Sequence, residues 1–144
     1  YVGEEDVALW RYSAEPDGGT ARTSIDTTGE KGHLTADVEG MGLYLQPDGR
    51  GYLVVSSQGS NDYAVYRRDG SNEYVGRFAV TANDERGIDG ISETDGLDVS
   101  SANLGGAYAQ GIFIAQDGRN ITPTEPQNFK LVPWADIAAA MKLQ

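Results

Sequence analysis

The chain of 144 residues has no cysteine and a single histidine, His33. The first absence removes disulfides and thiolate nucleophiles. The second leaves one imidazole, too few for a soft N/S metal site. Basic residues are also scarce, with 11 Lys and Arg against 22 Asp and Glu, a formal net charge of −11. Such a surface repels nucleic acid and anionic membranes, because both are bound by neutralising phosphates with Lys and Arg. No apolar run approaches the length of a membrane-spanning helix. The phosphate-loop pattern GxxxxGK[ST], the HExxH pattern and the GxSxG elbow are all missing.

What is present is glycine, 19 residues of it, spaced between short Val, Leu, Ile and Tyr runs. This is the composition of many strands joined by tight turns. Strands are expected over 1–3, 7–13, 21–26, 38–46, 51–57, 63–68, 73–80, 95–100, 110–115 and 128–132. Gly51–Ser57 (GYLVVSS) is continuous and apolar, as in a strand buried on both faces. Asp62–Arg68 turns charged at its end and reads as a strand nearer an exposed edge. Pro133 can open a helix that Trp134–Met141 continues. Two stretches repeat loosely. Leu53–Gly59 is echoed by Ile112–Gly118, and Tyr63–Arg68 follows Val7–Tyr12 at the spacing that separates Asp95 from Glu39. Repeats of this length with about four strands each are those of propeller blades. Three units at most fit, the first cut at its start, so part of a longer polypeptide is expected.

Eight carboxylates lie beside glycines or in short clusters: Glu4-Glu5-Asp6, Asp37-Val38-Glu39-Gly40, Asp89-Gly90 and Glu93-Thr94-Asp95-Gly96. Carboxylates gathered without His or Cys favour a hard cation such as Ca²⁺. Glu5, Asp37, Glu39 and Asp95 are the best ligand candidates, and Asp37 and Glu39, two apart, share one face of a strand. Solvated loop acids are the competing explanation in so acidic a chain. Asp117 and Asn120 form part of a calcium-loop pattern without its further ligands, equally readable as a turn. His33 beside Gly32 is read as a loop imidazole with a structural hydrogen bond.

The motifs Glu4-Glu5-Asp6…Leu9-Trp10, Ser13–Gly19, Asp37–Gly40, Ser56-Ser57-Gln58-Gly59, Thr94–Val99, Ala115–Gly118 and Gln127–Trp134 occur in one order along the chain. In that order they resemble the bacterial β-propeller phytases, over about the last two-fifths of a family member. The resemblance implies an all-β fold: the last two to three blades of a six-bladed propeller over residues 1–144, with a short C-terminal helix and the N-terminal blades absent. It implies calcium-dependent hydrolysis of phytate by metal-activated water, in a secreted or periplasmic protein. By the same resemblance Glu5, Asp37, Glu39 and Asp95 match active-site acids, and Glu39 and Asp95 also match the cleavage site. Gln58 and Asp89 match further calcium positions. Glu93 departs from the family pattern, which has Asp there. The family's substrate-gripping Lys, Arg and Tyr residues belong to earlier blades, so no substrate-binding residue is assigned in this chain. A calcium-binding propeller piece without catalysis is the alternative function.

Overall fold

GYLVVSS organises the molecule. In the computed structural model, which describes residues 1–144, this segment is strand β5 (Gly51–Ser57), and every residue in it is buried. Successive side chains of a strand point to opposite faces. Tyr52 and Val54 therefore enter one core, with Tyr63, Val65, Val99, Phe113 and Ala115. Leu53 and Val55 enter another, with Leu9, Leu34, Val38, Ala64 and Tyr66. A strand buried on both faces needs a layer on each side, and the chain supplies both.

The middle layer has four antiparallel strands in the order β4 (Val38–Leu45), β5, β6 (Asp62–Arg67), β7 (Tyr74–Phe78). On one side lie β1 (Val2–Glu4), β2 (Ala8–Tyr12) and β3 (Arg22–Thr27). On the other lie β8 (Leu97–Ser100), β9 (Ile112–Asp117) and β10 (Asn128–Pro133). All ladders are antiparallel. Antiparallel sheets of three and four strands stacked face to face are the build of propeller blades, and the chain is all-β apart from one short C-terminal helix.

That helix, α1 (Trp134–Met141), follows Pro133, which closes β10 and caps it. Trp134 and Ile137 are its buried residues. Trp134 stacks on Tyr44 with ring centroids 4.1 Å apart. Backbone groups of Gln144 bind the Tyr52 hydroxyl at 2.8 and 3.0 Å, so the C-terminus returns to the middle sheet. No helix is long and apolar enough to cross a membrane.

All ten expected strands form. One expectation is corrected: β6 is an interior strand, with Tyr63 to Tyr66 buried. Its charged end stays in the ladder, Arg67 opposite Tyr52 and Arg68 N bound to Gly51 O (2.9 Å), while β7 supplies the outer edge. The repeat is topological as well as sequential. β4, β5 and β6 correspond to β8, β9 and β10, and β4 lies against β8. The acidic clusters therefore fall where strands of neighbouring sheets begin, at one end of the stack.

Candidate functional site

The ladder between β4 and β5 slips between Val38, opposite Ser57, and Met41, opposite Val55. Two residues of β4, Glu39 and Gly40, thus stand against one of β5. The extra residue is a bulge, the device by which strands re-aim a side chain near a site. Gly40 turns its N–H to Asp95 O (2.8 Å), joining the second sheet to the third. A Cβ at Gly40 would come within 2.6 Å of that oxygen, so only glycine permits the approach.

Three further backbone bonds gather the acids. Val38 N donates to Glu5 O (2.9 Å), Gln58 N to Asp37 O (2.9 Å) and Gly59 N to Ala36 O (3.0 Å). Asp37 itself adopts left-handed backbone, φ 60°, a conformation short polar residues tolerate best. Gln58 Nε2 donates to Asp95 Oδ1 at 2.6 Å. Asp95 N in turn donates to Gln116 Oε1 at 2.7 Å. Behind Asp95, Thr94 is buried: Ser56 Oγ donates to its carbonyl (2.8 Å), and its hydroxyl shares a 2.6 Å bond with Tyr63.

The structure therefore brings five of the six expected ligand positions together, namely Glu5, Asp37, Glu39, Gln58 and Asp95. The Glu39 carboxyl is held above its ordinary pKa, first by partial burial and then by the charges of Glu5, Asp95 and Asp37. None of these four acids enters any of the seven ion pairs in the molecule. Unneutralised oxygens crowded in this way suit a hard divalent cation. No three His, Asp or Glu side chains are close-set enough to enclose an ion by themselves. The donor set is an open acidic rim, which leaves coordination positions for oxygens from elsewhere.

Asp89 lies apart from this rim. Its Oδ1 accepts from Lys130 Nζ (2.5 Å) and its Oδ2 from Ile121 N (2.6 Å), and these bonds hold its carboxyl below the usual range. Lys130 also reaches Asp117 Oδ2 (2.5 Å) and Gly90 O (2.7 Å). Asp117 is fully buried, and Asn120 Nδ2 donates to Pro126 O (3.3 Å), so Asp117 and Asn120 stand in a turn anchored by an internal lysine. His33 Nδ1 bonds Asp26 Oδ2 (2.8 Å) and its ring stacks on Tyr74 at 3.7 Å, a structural placement. Asp26 was not singled out by its sequence context. Its carboxylate also accepts from Thr27 N, His33 N and Tyr66 Oη, and it anchors the loop that leads to Asp37. Gln116 falls within the Ala115–Gly118 motif, but nothing in the sequence pairs it with Asp95.

A family model described as Phytase matches residues 1–144. A 3-phytase of Bacillus subtilis (strain 168) is 51% identical over 140 residues, covering 96% of this chain and 36% of that protein. The chain thus spans about a third of the length of this curated relative.

Proposed function

Because the chain belongs to the phytase family, we propose that the longer polypeptide it represents hydrolyses phosphate monoesters of phytate with calcium. In this reading the chain supplies the acidic half of the site. Glu5, Asp37, Glu39 and Asp95 are the ligand carboxylates, Gln58 orients Asp95, and Asp89 is left to Lys130. Glu39 and Asp95 are the residues at the point of cleavage. The remaining blades of the propeller provide the rest of the ring and the basic side chains that grip substrate.

The observation that carries the reading is the Glu39 cluster. Four carboxylates are drawn to one rim by bonds between sheets, yet no basic side chain neutralises them. Left alone they repel one another, and a polyanionic substrate too. Calcium held by Glu5, Asp37, Glu39 and Asp95 would reverse the local sign and supply a Lewis acid able to polarise a phosphoryl oxygen and to lower the pKa of a bound water. Glu39, partly buried among Glu5, Asp37 and Asp95, is the carboxylate set at the middle of this rim, where the metal and the water it activates would sit. Asp95, fixed at its carboxylate by Gln58 and at its N–H by Gln116, cannot swing away as charge moves.

The test is phosphate release from calcium-phytate by the full-length protein, with and without excess chelator. Release that stops on chelation and returns with calcium is expected. Undiminished release in chelator removes the mechanism. Calcium binding without any release converts the protein into the non-catalytic calcium-binding alternative.

A further inference from the structure

The acidic rim needs cationic neighbours if a polyphosphate is to be held, and one basic side chain is built into its edge. We infer that Arg119 is a contact for a substrate phosphate, held in readiness by Glu93. The inference rests on the phytase reading and deepens it, since no substrate-binding residue had been assigned in this chain.

Arg119 stands in the turn after β9, and Glu93 stands two residues before Asp95. Their side chains form an ion pair. The two segments are tightly joined. Gly118 N donates to Ser92 O at 2.8 Å, and a Cβ at Gly118 would come 2.7 Å from Glu93 O. Glu93 adopts left-handed backbone, φ 48°, and its N–H donates to Asn61 Oδ1 at 2.7 Å. Asn61 terminates the short turn that begins with Gln58, the partner of Asp95. Glu93 is therefore fixed beside the rim, within about 7 Å of Asp95 along the chain. Arg119 is fixed upon it.

Two other cations near this end are committed. Lys130 is nearly buried between Asp89 and Asp117. Arg77 is bound by Asp62 and by the carbonyl of His33. Arg119 differs in two ways: its side chain is 69% exposed, and its recorded partner is one carboxylate that is itself 44% exposed. Exposed pairs of this kind contribute little to stability. A guanidinium has five donors in a planar fork that matches phosphate, and a phosphate dianion carries more charge than Glu93 offers. Exchanging Glu93 for a substrate phosphate is then favourable. It would seat one phosphate at the edge of the rim while another lies at Glu39 and Asp95.

Two variants of the full-length protein separate this role from a loop clamp. Arg119→Ala raises KM for calcium-phytate about three- to tenfold and leaves kcat within about twofold. Glu93→Gln, which frees the arginine, lowers KM. Arg119→Lys restores part of the loss, as a point charge without the fork. Inhibition by inorganic phosphate shifts in the same directions. Equal weakening by Arg119→Ala and Glu93→Gln, or no change in either, overturns the inference, because a clamp is lost alike from both ends. Failure of the phytase reading itself shows separately, as absence of release by the unaltered protein. In that case binding of inorganic phosphate to the calcium-loaded protein, measured by calorimetry, still decides whether Arg119 holds phosphate.

Discussion

Gln58 Nε2 and Asp95 Oδ1 meet at 2.6 Å across a separation of 37 positions. Because an ionised carboxylate only accepts, the glutamine must present its amide nitrogen, which fixes both side chains. Gln58 directly follows β5 of the middle sheet, and Asp95 stands two residues before β8 of the next. Partners of metal-ligating carboxylates typically alter metal affinity about 10–100-fold when removed. Gln58→Ala should therefore weaken calcium binding by about that factor in a calorimetric titration. An unchanged affinity would remove Gln58 from the site.

Glu39 sets the pH response. Its folded-state pKa lies above the ordinary value of 4.5, so the calcium-free folded chain holds this proton more tightly than the unfolded chain does. Stability from Glu39 is thus fully present below the ordinary value and is lost as pH rises through the raised one. Calcium affinity runs the opposite way, growing as the proton leaves. Glu39→Gln should raise the calcium-free Tm at pH 7 by about 1–2 °C and shrink the stabilisation that added calcium provides. Scanning calorimetry of both forms checks this, and a lower calcium-free Tm would contradict it.

The strands were legible because their alternation and turn residues are local properties. GYLVVSS reads as doubly buried without any knowledge of its neighbours, and it is. The acids Asp37, Glu39 and Asp95 were legible through glycine spacing, which reflects the bulge and the close approach at Gly40. Asp89 carried the same local signature beside a glycine, yet Lys130, 41 positions away, claims it. Position in the sheet order was equally opaque for β6, since a charged end says nothing of which strand pairs outside it. The pairings of Asp26 with Tyr66 and of Gln116 with Asp95 left no trace because each joins segments far apart in the chain. What the sequence could not show is pairing between distant polar groups.

Lys130 holds two carboxylates, one of them fully buried Asp117. Removing one partner of a buried ion pair leaves the other charge uncompensated, at a cost of about 3 kcal/mol or more. Lys130→Met should lower stability by that amount in urea unfolding. Asp117→Asn in the same background should recover part of it, since the orphaned charge is gone. A Lys130→Met variant as stable as the parent would show that water reaches this cluster freely.

The tyrosines report the core from the alkaline side. Burial pushes the Tyr63 hydroxyl up to about 12. Burial, and then its hydrogen bond to the Asp26 carboxylate, pushes Tyr66 higher still. Both folded values exceed the unfolded value of about 10. Their contribution to stability is accordingly complete below pH 10 and is lost as pH climbs from 10 towards 12 and beyond. In a spectrophotometric titration Tyr63 and Tyr66 should ionise only as the chain unfolds. Tyr66→Phe should remove one of these late steps. It should also cost about 1–3 kcal/mol, because the Asp26 oxygen loses a buried donor. That loss would loosen the His33 loop leading to Asp37, so calcium affinity should fall with it. Ionisation of Tyr66 near pH 10 with the fold intact would mean that the Asp26–Tyr66 bond does not anchor this loop.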